Sequence, residues 1–285
     1  MNTLQAKAYV IQLAKIIAAD GVIDTKELRR IYEVMAAFEL GSDTRIEILD
    51  LLYFHQQKLM KMDIDPYLLD EEEIKIALSK DVLFIESQNE NKSNNVIAKE
   101  ILYALNITQE QLKFLKNWVS WENAALRRLG AGEIDLADEG DLNELAARAA
   151  SIGIPLSALY ISGTIGFSAV GLTTGLATLG SMSGIALLGL NPMTAGIAAL
   201  IIAGISVKKI CDYALKTGKK KQIEAALHQA KILQLRYREY LLKDMTEFEK
   251  SSISDMLTRK GSKRQKAIES FRYLLSESLK QEEKS

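Results

Sequence analysis

The chain has 285 residues, 36 Lys and Arg against 37 Asp and Glu, and a formal net charge of −1. Its length sets a soft prior of two domains, and the balanced charge argues against a dedicated nucleic-acid binder, which carries a strong basic excess. The single cysteine, Cys211, excludes an intrachain disulfide and fits a reducing cytosol.

The N-terminus is amphipathic and lacks a basic region ahead of an apolar one, so it does not read as a secretory signal. Residues 3–19 place Leu4, Ala8, Ile11, Ala14 and Ala18 together, with Val10, Leu13 and Ile17 beside them. This predicts a helix with one wide apolar face. Gly21 supplies its stop, because glycine accepts positive φ cheaply. Asp24 can cap the next helix, with Glu27 three residues on as its capping-box partner. "ELGSDTRIEILDLL" repeats the logic: Gly41 ends one helix, and Ser42 or Asp43 begins another.

Pro66 marks a turn, a short helix follows Asp70, and the polar run 86–95 reads as a loop. Thr108, with Gln111 three residues later, starts a helix carrying Trp118 and Trp121 on one face. These two read as core or packing aromatics ahead of a ligand platform. Gly130 and Gly132 break that helix, and an acidic linker follows. Beyond the apolar block, a long amphipathic helix is predicted over about 219–250 and a last one over about 263–281. "TRKGSKRQK" joins these two.

"AADGVIDTKELRRI", residues 18–31, resembles the second half of an EF-hand calcium loop. That loop takes ligands from positions 1, 3, 5, 7, 9 and 12, with Gly at 6. Aligning Gly21 to position 6 puts Asp20 at 5, Asp24 at 9 and Glu27 at 12. Positions 1 and 3 then fall on Ile16 and Ala18, which have no side-chain oxygen. That gap argues against a standard EF-hand. Three uses of the acids are open: helix capping, which alone accounts for Asp24 and Glu27; a divalent cation on Asp20, Asp24 and Glu27; and a partner-docking patch.

"LAKIIAADGVIDTKELRRIYEVMAAFEL" resembles the tellurite-resistance TerB-like family, whose pattern also occurs at the N-terminus of membrane-tethered DjlA co-chaperones. An apolar helix, Ala-Asp-Gly, and then an acid followed by Glu-Leu carry the likeness, on Asp20, Gly21, Asp24 and Glu27. "LNITQEQLKFLKNWV" is similar to a helix start late in such domains. The family's second acidic corner has no counterpart here. The resemblance covers residues 1–128. It implies an all-helical domain in stress-response or phage-defence settings, with no known catalytic activity.

From Ala149 to Val207 there is no Asp, Glu, Lys, Arg or His. About 20 apolar residues cross about 30 Å of hydrocarbon, so the block has room for two spans, Pro155 to about 178 and 184 to 207. Asn191-Pro192 interrupts the second, either as a kink or as the start of a separate helix. Gly171 with Gly175, and Gly180 with Gly184, are spaced for close helix packing in lipid. Six lysines and one aspartate lie between 208 and 221. Lys208, Lys209, Lys216, Lys219, Lys220 and Lys221 place that end in the cytoplasm and can touch anionic headgroups. Three readings stand: a resident membrane hairpin, a hairpin hidden until activation, and a buried soluble core.

No P-loop and no nucleophile elbow with a plausible triad occurs, and His55 and His228 are far apart in sequence. The expected fold is all-α: a helical domain over 1–128, an acidic linker over 129–151, a glycine-rich hydrophobic hairpin over 152–207, and a basic segment with amphipathic helices over 208–285. The expected protein is non-enzymatic, with no cofactor beyond that divalent cation. Its expected partners are membrane lipid and a protein partner or second copy, with no nucleic acid. The expected place is a bacterial inner membrane with its polar domains in the cytoplasm; the alternative is a cytoplasmic protein that inserts conditionally. Two functions compete, a membrane-anchored sensor or scaffold and a membrane-damaging effector.

Overall fold

A computed structural model describes residues 2–88, 96–131, 147–155, 158, 220–255 and 259–282. The fold is all-α, and no strand occurs among the described residues. The first helix, α1 (Thr3–Ile17), is held at its start by Asn2. The Asn2 Oδ1 accepts from the Gln5 amide at 2.9 Å, while Gln5 Oε1 accepts from the Asn2 amide at 2.8 Å. The expected single apolar face understates α1: every side chain from Gln5 to Ile17 except Lys7 is buried. It is the central helix, touching its neighbours α2 (Thr25–Ala37), α3 (Ser42–Phe54) and α4 (Gln56–Met60). It also touches α5 (Glu72–Gln88) and α6 (Val96–Ala104). Burying side chains such as Leu13, Ile16 and Ile17 contributes about 1.5–3 kcal/mol each.

The turn after α2 differs from expectation. Glu39, not Gly41, takes the left-handed conformation, at φ 54°. Gly41 is extended and occupies the cap position of α3 without a side-chain bond, so Ser42 and Asp43 lie inside the first turn. The Glu39 carboxylate pairs with Arg236 of the C-terminal region at 2.8 Å.

Three further boundaries are longer than the sequence suggests. The helix after Asp70 is not short: α5 runs for 17 residues and takes in Glu86, Ser87 and Gln88, the start of the predicted loop. Its buried run from Ile76 to Ile85 carries it forward, and the Ser87 hydroxyl donates to Phe84 O at 2.7 Å. The helix α7 (Gln109–Ala131) passes through Gly130, because one helical glycine costs only about 1 kcal/mol. The last two helices, α8 (Lys220–Asp255) and α9 (Arg259–Glu282), absorb most of the predicted joint. Burial of Ala267, Ile268, Phe271 and Leu274 outweighs the cost of Gly261 near the start of α9.

The two ends of the chain share one core. α8 and α9 pack on each other and on α2 and α3, and Leu233, Tyr237, Phe248 and Phe271 join the same apolar cluster as α1. Residues 147–151 form a short helical stretch that docks back near the start of α7, where Gln111 Nε2 donates to Ile152 O at 3.5 Å. Ala149, Ile154 and Ala158 are buried. The rest of the uncharged block lies outside the described residues, as do Gly171, Gly175, Gly180, Gly184 and the lysines from Lys208 to Lys219. Among the described residues no helix is long and apolar enough to cross a membrane.

Candidate functional site

At the acidic corner the chain leaves α1 through a 3-10 turn over Ala18–Asp20, and Gly21 takes φ 76°. Asp20 Oδ1 accepts from the Val22 amide at 3.0 Å. Asp24 Oδ1 accepts from the Glu27 amide at 2.8 Å, and Glu27 Oε2 accepts from the Asp24 amide at 3.1 Å. All three acids thus bond backbone N–H groups, and Glu27 is buried. Among the described residues no three of His, Cys, Asp or Glu gather in a metal-binding group. Asp24→Ala should destabilise the protein by about 0.5–2 kcal/mol, as loss of a cap does. Thermal melting measures that loss. Calorimetric titration with calcium and magnesium checks the other use: micromolar binding that Asp24→Ala abolishes in a folded protein would make the corner a cation site.

A cleft of about 640 Å³ opens between α5, α6 and α7. Leu102, Ile107 and Leu112 form its floor, and Glu86, Lys99 and Lys116 its polar margin. Burial pushes the Glu86 carboxyl above its usual range, against the opposing pull of Lys116 and Lys99. Tyr103 stands at the rim, 89% exposed. The volume falls within the range of roughly 300–1,000 Å³ that small ligands occupy. Trp118 is not part of it: the ring is buried against Phe114, centroids 5.9 Å apart.

The densest chemistry lies in two buried polar networks flanking α2. In the first, Tyr9 of α1 donates to Asp81 Oδ2 of α5 at 2.9 Å. Arg30 of α2 reaches Asp81 Oδ1 at 3.3 Å and Glu33 Oε2 at 2.9 Å, and its guanidinium lies over the Phe84 ring. Burial raises the Glu33 carboxyl, with Arg30 pulling the other way, and pushes the Tyr9 phenol well up.

The second network joins α8 to α2 and α3. Arg45 grips Asp244 with both faces of its fork, Nε to Oδ2 at 2.9 Å and Nη2 to Oδ1 at 2.7 Å. Its third nitrogen donates to Leu40 O at 2.7 Å, and its plane lies 3.6 Å from the Tyr240 ring centre. Tyr32 donates to Asp244 Oδ2 at 3.0 Å. Burial pushes the Asp244 carboxyl up even with these partners. Around this point Tyr32, Tyr53, Phe54, Phe248 and Phe271 form an aromatic layer, with Phe248 and Phe271 centroids 5.4 Å apart. Arg29 pairs with Glu277 at the margin, and Arg236 donates to Ala36 O at 3.2 Å.

Of the residues singled out from sequence at the corner, Asp24 and Glu27 form the capping box and Asp20 bonds the turn at Val22, whereas Arg45, Asp244, Arg30 and Asp81 were not singled out. One signal was present. Tyr237, Leu241 and Phe248 form a buried stripe on α8, and Asp244 falls on it as a lone charge. No family model, no curated protein and no solved structure matches the chain.

Proposed function

We propose that the protein is a non-enzymatic, membrane-associated component of stress response or phage defence. A TerB-like helical body senses or scaffolds on the cytoplasmic side, and the uncharged block enters the inner membrane as a hairpin. One observation carries the topology. The described chain on either side of the block is seated on the same helical body, 147–155 beside α7 and, from Leu233 onward, α8 on α2 and α3. A segment that leaves a body and returns to it crosses a bilayer an even number of times. The absence of charge from Ala149 to Val207 and the basic flank from Lys208 to Lys221 supply the rest. The TerB-like resemblance supplies the cellular setting, and anionic lipid is the first partner.

A second reading, an effector whose hairpin stays hidden until activation, is favoured by the burial of Ala149, Ile154 and Ala158, the first described residues of the block, in the helical core. Fractionation of cells expressing the full chain, followed by carbonate extraction, separates the two. Resident insertion predicts that the protein stays in the pellet through carbonate. A monomer recovered without detergent or lipid would overturn resident insertion and make the conditional hairpin the leading reading.

A further inference from the structure

We propose that the cleft between α5, α6 and α7 binds a monoanionic amphiphile, an acyl carboxylate whose chain lies on Leu102, Ile107 and Leu112 and whose head group lies between Lys99 and Lys116. This site uses no part of the uncharged block and is independent of the membrane reading above.

The cleft is preformed by local rules. α6 ends at Ala104 and α7 begins at Gln109. Between them the Leu105 amide donates to Ile101 O at 2.9 Å and the Asn106 amide to Tyr103 O at 3.0 Å. Asn106 takes the left-handed conformation at φ 55°, which asparagine adopts more readily than most residues. Thr108 and Gln111 then close a capping box. Below this turn Ile101, Leu105, Phe114 and Leu115 are buried in the core. The turn is thus fixed by its own bonds and by the core, and the hollow beside it needs no ligand for its shape.

The lining selects the ligand. The floor of Leu102, Ile107 and Leu112 offers no donor or acceptor, and Asn106 and Gln109 are exposed. An unsubstituted chain suits such a floor, whereas a sugar or a base would leave polar groups unpaired on it. The stems of Lys99 and Lys116 add apolar wall while their ammonium groups reach water. Tyr103, open at the rim, adds a further apolar face with a polar tip.

Charge sets the head group. Lys99, Lys116 and Glu86 are the charged residues of the lining, two cations against one acid. That balance meets a single negative charge; a nucleotide or another polyanion would bring more. Both lysines act on Glu86 through space, and among the described residues neither closes an ion pair with an acid. Burial already pushes the Glu86 carboxyl up, so it takes a proton more readily than an ordinary glutamate when a second carboxylate arrives.

Photolabelling of the full chain in extracts of expressing cells tests the site. The probes are decanoate carrying an alkyl diazirine and the matching neutral alcohol, and digestion with mass spectrometry locates the adducts. The carboxylate probe should label α6 and the start of α7, and excess plain decanoate should displace it. Adducts elsewhere in the chain are the internal reference. An exposed ion pair is worth up to about fivefold in affinity. Lys99→Gln with Lys116→Gln should therefore lower labelling by subsaturating carboxylate probe about tenfold, while labelling by the alcohol holds. Glu86→Gln should raise the carboxylate signal by up to about fivefold. Ala104 is exposed, so Ala104→Trp should leave the fold intact, fill the cleft and remove both signals. Labelling of α6 and α7 that decanoate does not displace, or that Ala104→Trp leaves unchanged, would overturn the site. Equal loss of both probes on removing the lysines would overturn the anionic head group.

Discussion

Replacing Arg45 by alanine should weaken the docking of α8 and α9 by about 3–5 kcal/mol, the range for removing one member of a buried ion pair. Arg45 is 2% exposed and Asp244 is fully buried. Loss of the guanidinium leaves the carboxylate with the Tyr32 hydroxyl as its remaining partner of this network, and leaves Leu40 O without its donor. The Tyr240 ring also loses the cation beside it. Lysine is a poor repair, since a point ammonium cannot bond both carboxylate oxygens as a planar fork does. Arg45→Met with Asp244→Leu removes both ions at similar volume and should be neutral or more stable than wild type. Urea denaturation distinguishes where the loss falls. Both tryptophans, Trp118 and Trp121, lie in α7, so their fluorescence follows the body alone. Circular dichroism follows every helix. In Arg45→Ala the first part of the dichroism transition should move to lower urea while the fluorescence midpoint holds. Equal shifts in both signals would mean that α8, α9 and the helices around α1 unfold as one.

The corner at Asp20–Glu27 was legible because caps are local. Asp24 and Glu27 are three residues apart, and that spacing alone brings each side chain to the other's amide. The same holds for Thr108 and Gln111, which bond reciprocally at 3.1 and 3.2 Å. Periodicity also gave the helical class. It gave helix ends less well, because the reasons for continuing lie elsewhere in the chain. Glu39 keeps a left-handed turn beside Arg236, nearly two hundred residues away in the chain. α5 and α7 outrun polar and glycine signals because their buried faces hold them. The partner of a charge is the least legible feature of all. Asp244 announces itself as an acid on an apolar stripe, yet nothing local to it names Arg45 or Tyr32. Arg30 and Asp81 are hidden in the same way, since each sits in an amphipathic helix where a solvated face is the ordinary expectation.

Arg30→Met should destabilise the body itself, by about 3–5 kcal/mol near neutral pH. Arg30 is the cation between two buried acids, Asp81 on α5 and Glu33 on its own helix. Methionine fills much of the space but leaves two like charges in a low-dielectric site. Unlike the Arg45 change, this one acts where α1, α2 and α5 meet, so fluorescence and dichroism should shift together. The pH dependence gives the sharper check. Burial already holds the Glu33 carboxyl above its ordinary value, with Arg30 opposing the rise. Without Arg30 the folded-state value must climb further, while the unfolded value stays near about 4.3. A carboxyl whose folded value is raised binds its proton more tightly in the folded state. Its stabilising contribution is complete below the unfolded value and is lost as pH rises through the folded one. The gap in stability between wild type and Arg30→Met should therefore narrow as pH falls from 7 to 5. Tyr9→Phe, which removes one neutral donor to Asp81, should cost only about 1 kcal/mol and show no such narrowing. A gap for Arg30→Met that stays constant or widens toward acid would mean that the two carboxylates are relieved by rearrangement rather than by protonation.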